Sequence, residues 1–235
     1  MKGQNQSALF NTMKKTVLVV AAHPDDEILG VGGTILKHVE KGDAVHVLLL
    51  GDGETSRDVT ADVAQREQAA LEAGRRLGTF QTIFKRLPDN QFDSIPLLTI
   101  IKEISKILEE IKPEIVYTHY PFDLNVDHRL TAEAVMTACR PQPGFCVKKI
   151  WAFETLSSTE WQHRAGGTVF APMVYVDISS VIEKKLHGLE SYSQELRDYP
   201  HPRSLEGVKI LSQFRGLEVG FAHAEAFQVL RELHD

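Results

Sequence analysis

The sequence predicts an α/β protein, a Rossmann-like three-layer sandwich with a mostly parallel central sheet. Three observations carry that expectation. Strand-like apolar runs alternate with helix-like periods along the chain, the pattern of a parallel sheet joined by crossover helices. The first apolar run, Thr16-Val-Leu-Val-Val-Ala-Ala22, breaks off in His23-Pro24-Asp25-Asp26-Glu27, so one imidazole and three carboxylates stand at a strand tip. A buried strand end accepts that many ionisable groups only where something compensates them. In a parallel sheet that end opens onto the crevice where ligands bind.

Each element follows from its local pattern. Thr16 to Ala22 is the first strand, and Ile28 to Lys41 reads as a helix that stops at Gly42 despite Gly30, Gly32 and Gly33, which are expected to permit close packing on the sheet. Ala44 to Leu50 is the second strand, and Thr60 to Leu77 an amphipathic helix ended by Gly78. Gln81 to Lys85 reads as a strand, Ile95 to Glu110 as a helix and Glu114 to Thr118 as the strand leading into a second polar loop. Arg129 to Cys139 continues as a helix, with Lys148 to Phe153 and Met173 to Asp177 as later strands. Val181 to Tyr192, Ser204 to Phe214 and Ala222 to Leu233 read as helices. The absence of repeats and low-complexity linkers predicts a single domain over 1–235, with 1–13 a flexible amino-terminal extension.

Composition narrows the function classes. With 235 residues, 43% of them hydrophobic, the chain can bury one sizeable core. A formal net charge of -6 leaves no general basic surface, so no nucleic-acid partner is expected. Two cysteines, Cys139 and Cys146, are too few for a disulfide framework and are expected as reduced thiols. No apolar run approaches the roughly 20 residues of a membrane helix, so no membrane insertion is expected and cytoplasmic residence is the predicted location.

The chemistry-bearing residues lie at the two strand tips. The strand ending at Thr118 runs into His119-Tyr-Pro-Phe-Asp123-Leu-Asn125-Val-Asp127-His128-Arg129. His23, Asp26 and His128 together offer two imidazoles and a carboxylate, the ligand count of a catalytic zinc site whose fourth position stays open to water. Gly30, Gly32 and Gly33 invite comparison with a dinucleotide fingerprint, but the turn directly off the strand is filled by His23, Asp25, Asp26 and Glu27. Carboxylates there would repel a pyrophosphate.

These residues resemble the LmbE-like, or PIG-L, deacetylase superfamily of metal-dependent hydrolases. The resemblance rests on Ala22-His23-Pro24-Asp25-Asp26-Glu27 with Gly30, Gly32 and Gly33, on Arg66 with Glu67, and on Asp127-His128-Arg129, and runs from about Thr16 to Phe227. It implies a zinc-dependent hydrolase, with Fe2+ as another fitting ion, that releases acetate from a small-molecule N-acetylated amino sugar or sugar conjugate. Such relatives are often homo-oligomers. By resemblance Asp25 is the proton-transferring carboxylate, with Glu27 either its rival or a partner that orients His23. Similar enzymes often carry a histidine three residues before the last ligand, where this chain has Asn125. The oxyanion-stabilising role is therefore expected of His119 or of Asn125, with Asp127 holding an imidazole in one tautomer. For the substrate, the resemblance points to Arg66 and Asp93, with Asp89 competing for the second place and Glu54 at another strand tip. His201 and His223 fall where the terminal helical region would approach the pocket. An amidase for a non-sugar N-acyl amine is the alternative within enzymes, and a nucleotide-binding Rossmann domain the alternative outside them.

Overall fold

A computed structural model describes residues 14–56, 62–163 and 168–234. The expected extension over 1–13 and the start of the second helix at Thr60 lie outside those residues. Seven strands, β1 (Thr16–Ala21), β2 (Ala44–Gly51), β3 (Gln81–Leu87), β4 (Ile115–His119), β5 (Lys149–Phe153), β6 (Val174–Asp177) and β7 (Ala224–Glu232), form one sheet in the order β3-β2-β1-β4-β5-β7-β6. β1 runs parallel to both neighbours, with Val17 opposite Val45 on one side and Ile115 on the other. The order of connection reverses between β1 and β4, which opens a crevice at their carboxyl ends.

Successive residues of a strand face opposite layers, and the core divides accordingly. Val17, Val19 and Ala21 pack with Ile28 and Ile35 of α1 (Asp26–Glu40), Leu77 of α2 (Val63–Leu77), Ile182 of α5 (Ile182–Leu189) and Val208 of α6 (Leu205–Leu217). Leu18 and Val20 face Ile100 and Ile104 of α3 (Leu97–Ile111) and Val135 of α4 (Val126–Ala138). The helix ends carry local stops and starts. Asp62 accepts from the Gln65 amide at the start of α2, and Gly78 closes it at φ 76°.

The α1 glycines are packing residues. A Cβ at Gly30 would lie 2.3 Å from Phe153 Cδ2, and one at Gly33 2.6 Å from Ile178 Cγ2, so only hydrogen lets the helix lie this close to the sheet. Side chains reach the backbone of the same helix. Glu225 of β7 accepts from the Gly33 and Thr34 amides at 2.8 and 2.7 Å, while Lys185 of α5 donates to Leu29 O at 2.8 Å and to Glu225 at 2.6 Å.

Two expectations change. The segment from Ala222 to Leu233, expected as a helix, is strand β7, antiparallel to β5 and β6. Its Ala, Glu and Gln favour a helix locally, but a backbone ladder on both edges and burial of Ala224 to Phe227 outweigh that weak preference. The helices expected from Ile28 and Arg129 start earlier, at Asp26 and Val126. Asp26 and Asp127 therefore sit in first turns, where the helix dipole favours negative charge.

Candidate metal centre and active site

β1 and β4 end side by side, and the turns that follow them converge over the crevice. His23 Nδ1 and His128 Nε2 each lie 3.3 Å from Asp26 Oδ2, and the three side chains are buried. One donor atom from each lies within 4.8 Å of the others. Donors at zinc-ligand bond lengths around a tetrahedral ion stand about 3.4 Å apart. Two buried atoms of the cluster, Asp26 Oδ1 and His128 Nε2, have no hydrogen-bond partner among the described residues. Buried polar atoms are seldom left so, and both belong to the set that would close on a cation.

The second nitrogen of each imidazole is held by carboxylate. His23 Nε2 lies 2.9 Å from Asp127 Oδ2 and 3.1 Å from Asp89 Oδ1, and His128 Nδ1 lies 3.1 Å from Asp123 Oδ1. Once the imidazoles are neutral, each pairing would keep the proton on the nitrogen that faces away from the cluster and leave a lone pair for a cation, as carboxylate partners of metal-binding histidines do. Burial alone would lower the His23 and His128 pKa values, but the carboxylates outweigh it and raise them to about 10 and about 8. Burial raises Asp123, yet its bonds from His128, Ser158 and Thr159 bring it to about 2. Burial raises Asp26, but His128, His119 and His23 around it outweigh that and hold it well below the usual carboxylate range.

Asp25 lies beside this cluster and contacts neither histidine. It precedes α1 at φ 121°, a backbone region that disfavours a side chain. The Glu27 carboxylate holds its amide at 3.0 Å, and Arg203 Nη1 reaches its Oδ2 at 3.1 Å. Burial is the largest influence on Asp25 and raises its pKa to about 6 against the opposing pull of Arg203. Glu27, raised to about 7 by burial against the bond from Tyr192, accepts that hydroxyl at 2.6 Å. The expected role of Glu27 in orienting His23 thus falls to Asp127 and Asp89.

His119 lies against the cluster, its Nε2 3.5 Å from Asp26 Oδ2. Its ring is fully buried and stacks on His128 at 3.9 Å; Nε2 accepts from the Ala22 amide at 2.9 Å, and Nδ1 lies 3.3 Å from Thr155 Oγ1. Burial, joined by the neighbouring His128, keeps it neutral. Both ring nitrogens are thus engaged by protein groups, and the ring backs His128. Asn125 caps α4, its side chain accepting from the Asp127 amide at 2.8 Å and donating to Asn90 at 2.9 Å. Its amide is engaged as well.

Arg66 is buried and ion-paired to Glu54 at 3.0 Å and to Glu195 at 2.6 Å. Glu67, paired with it in the sequence motif, bonds Arg86 on the surface instead. Asp93 is exposed on the 3-10 turn Phe92–Ser94, whereas Asp89 is buried against His23. Of the two acids of this loop, Asp89 is the one that stands at the cluster. His201 accepts from the Arg203 amide at 3.1 Å, while His223 bonds Ser212 at 2.8 Å on the α6 side. Sequence reasoning passed over Asp123, Glu195 and Arg203. Asp123 was within reach, five residues before a ligand in the same loop, but nothing local marks Arg203, which meets Asp25 across 178 residues.

Among the described residues no helix is long and apolar enough to cross a membrane. Residues 18–139 match the model of the GlcNAc-PI de-N-acetylase (PIG-L) family. The chain is 30% identical over 231 residues to the diacetylchitobiose deacetylase of Thermococcus kodakarensis, covering 93% of this chain and 84% of that protein. It is 26% identical over 205 residues to the 4-oxalmesaconate hydratase of Pseudomonas putida, covering 77% of this chain and 74% of that protein. Its fold matches the crystal structure of N,N'-diacetylchitobiose deacetylase from Pyrococcus horikoshii with a TM-score of 0.74 at 23% identity, over 92% and 84% of the two chains.

Proposed function

This chain belongs to the GlcNAc-PI de-N-acetylase (PIG-L) family, the LmbE-like deacetylases, and we propose that it is a zinc-dependent hydrolase of an N-acetylated amino sugar or sugar conjugate. The products would be acetate and a free amine. The observation that carries the reading is the buried triad His23, Asp26 and His128, in which Asp26 Oδ1 and His128 Nε2 make no hydrogen bond among the described residues, beside an independently held carboxylate, Asp25. Two nitrogens and one oxygen suit zinc, and the same set suits Fe2+. A divalent ion held there supplies Lewis-acid polarisation of the acetamide carbonyl and hydroxide near neutral pH.

The remaining work belongs to the chain. Asp25 accepts the proton of the attacking water and returns it to the leaving nitrogen as the C–N bond breaks. Arg203 keeps that carboxylate charged and aimed through its 3.1 Å bond, and Glu195, itself bonded to Arg66, lies 3.8 Å from Arg203 on the far side. Arg66, Glu54 and Asp89 form the polar wall at the ends of β2 and β3 on which sugar hydroxyls would be held. With His119 and Asn125 both committed to protein groups, Arg203 is the cation beside Asp25 available to charge that develops on the carbonyl oxygen.

A relative that hydrates a carbon–carbon double bond makes one other reading concrete, since such a reaction also needs a positioned base and water. Acetate release separates the two. Protein loaded with zinc or with Fe2+ is expected to free acetate from N-acetylglucosamine glycosides, and His128→Ala is expected to lose both bound metal and activity. Full metal occupancy in His128→Ala, or no acetate from any N-acetyl sugar, would sink the reading.

A further inference from the structure

We propose that Trp161 is the platform on which a sugar ring of the substrate lies, so that the substrate is a pyranoside and not an open-chain N-acyl amine; this rests on the deacetylase reading above. Trp161 is 52% exposed and closes the 3-10 turn Thr159–Trp161. Ser158 and Thr159, three and two residues before it, give their hydroxyls to the Asp123 carboxylate, which fixes His128. On its other side the indole meets His201 edge-on, with ring centroids 6.0 Å apart at 85°. His201 accepts from the Arg203 amide, and Arg203 grips Asp25. The indole thus bridges the wall that holds a metal ligand and the wall that holds the proposed base.

Two more exposed aromatics stand close in the chain to residues of the site. Phe122 is 53% exposed next to Asp123, and Tyr199 is 59% exposed two residues before His201. Each is tied through the chain to a residue that touches the site. Ligand sites combine apolar and aromatic surface with a few aimed polar groups, and here the polar groups would be Arg66, Glu54 and Asp89 and the aromatic surface the Trp161 indole. A pyranose matches that division, with an apolar C–H face to lie on an indole and hydroxyls around its edge. An acyclic amine offers no such face.

Binding is measured in metal-loaded Asp25→Asn protein, where turnover does not intervene, with N,N'-diacetylchitobiose as the ring probe and N-acetylethanolamine as the acyclic one. The chain has two tryptophans, and Trp151 lies in β5 stacked on Phe227, so a fluorescence change on sugar binding reports on Trp161. Trp161→Ala is expected to weaken disaccharide binding about tenfold, Trp161→Phe to restore most of it, and N-acetylethanolamine binding to stay unchanged in both. In the active enzyme KM for the disaccharide should rise about tenfold with kcat within about threefold. An unchanged disaccharide Kd in Trp161→Ala, equal losses for ring and acyclic probes, or a shift in oligomeric state in place of a shift in Kd would overturn the platform. If no N-acetyl sugar yields acetate while the disaccharide still binds through Trp161, the deacetylase reading fails and the platform stands.

Discussion

Asp25 is held in a strained backbone, φ 121°, by a carboxylate on its amide and an arginine on its side chain. A non-glycine residue persists in such a region only when its surroundings over-determine it, a condition met most often at functional sites. The arrangement presents one carboxylate to the crevice while its neighbour Asp26, a single residue on, turns to the histidines. Asp25→Asn keeps the shape and removes the proton acceptor. It is expected to bind metal as the unaltered protein does and to lose about 10²- to 10⁴-fold in turnover. Activity near the unaltered level in metal-replete Asp25→Asn would transfer the role to Glu27, and lost metal would make Asp25 a ligand.

At the scale of elements, α1 carries the heaviest constraints. Its first turn supplies Asp26 and Glu27, its middle has Gly30 and Gly33 against Phe153 and Ile178, and its backbone is gripped by Lys185 and Glu225. The gripping pair is almost wholly buried, with side chains 3% and 5% exposed. Removing one member leaves an uncompensated buried charge, which costs about 3 to 5 kcal/mol. Lys185→Met is accordingly expected to lose that much in urea unfolding. Lys185→Met with Glu225→Gln should recover a large part, because the amide oxygen still accepts a backbone N–H and no charge is stranded. A loss under about 1 kcal/mol in the single variant would mean that the pair does not hold the helix.

Across the whole molecule, the ionisable groups of the site make stability depend on pH and on metal together. In the metal-free protein, burial raises Asp25 to about 6 and Glu27 to about 7, and the carboxylates raise His23 to about 10 and His128 to about 8. All four bind protons more tightly folded than unfolded. The histidine contribution is full below the unfolded value near 6.5 and is lost as pH rises through 8 and then 10; the raised carboxylates cost stability as they ionise above about pH 4. Metal-free protein should therefore unfold at lower urea at pH 9 than at pH 6. A cation needs neutral imidazoles, so its stabilising effect should grow over the same interval, reaching about 2.7 kcal/mol at a hundred times its Kd. Equal cation effects at pH 6 and pH 9 would contradict the assignment of both histidines as ligands.

The sequence alone determined the parallel α/β frame and the acids at the first strand tip, because strand period and an abrupt ionisable cluster are local signals. His23 and Asp26 could be read together since they stand three positions apart in one turn, and His128 could join them because adjoining strand tips in such a sheet share a crevice. The tertiary structure decided the rest. β7 is a strand because β5 and β6 flank it, an environment that its helix-favouring residues do not encode. Asp89 and not Asp93 reaches His23, since the turn after β3 buries one side chain and exposes the other. His119 backs His128 because the buried Ala22 amide, one strand away, takes its lone pair. The partner of Asp25 arrives from 178 residues along the chain, and no local period carries information over that span; only the meeting of the α5–α6 connection with the turn between β1 and α1 brings Arg203 to it.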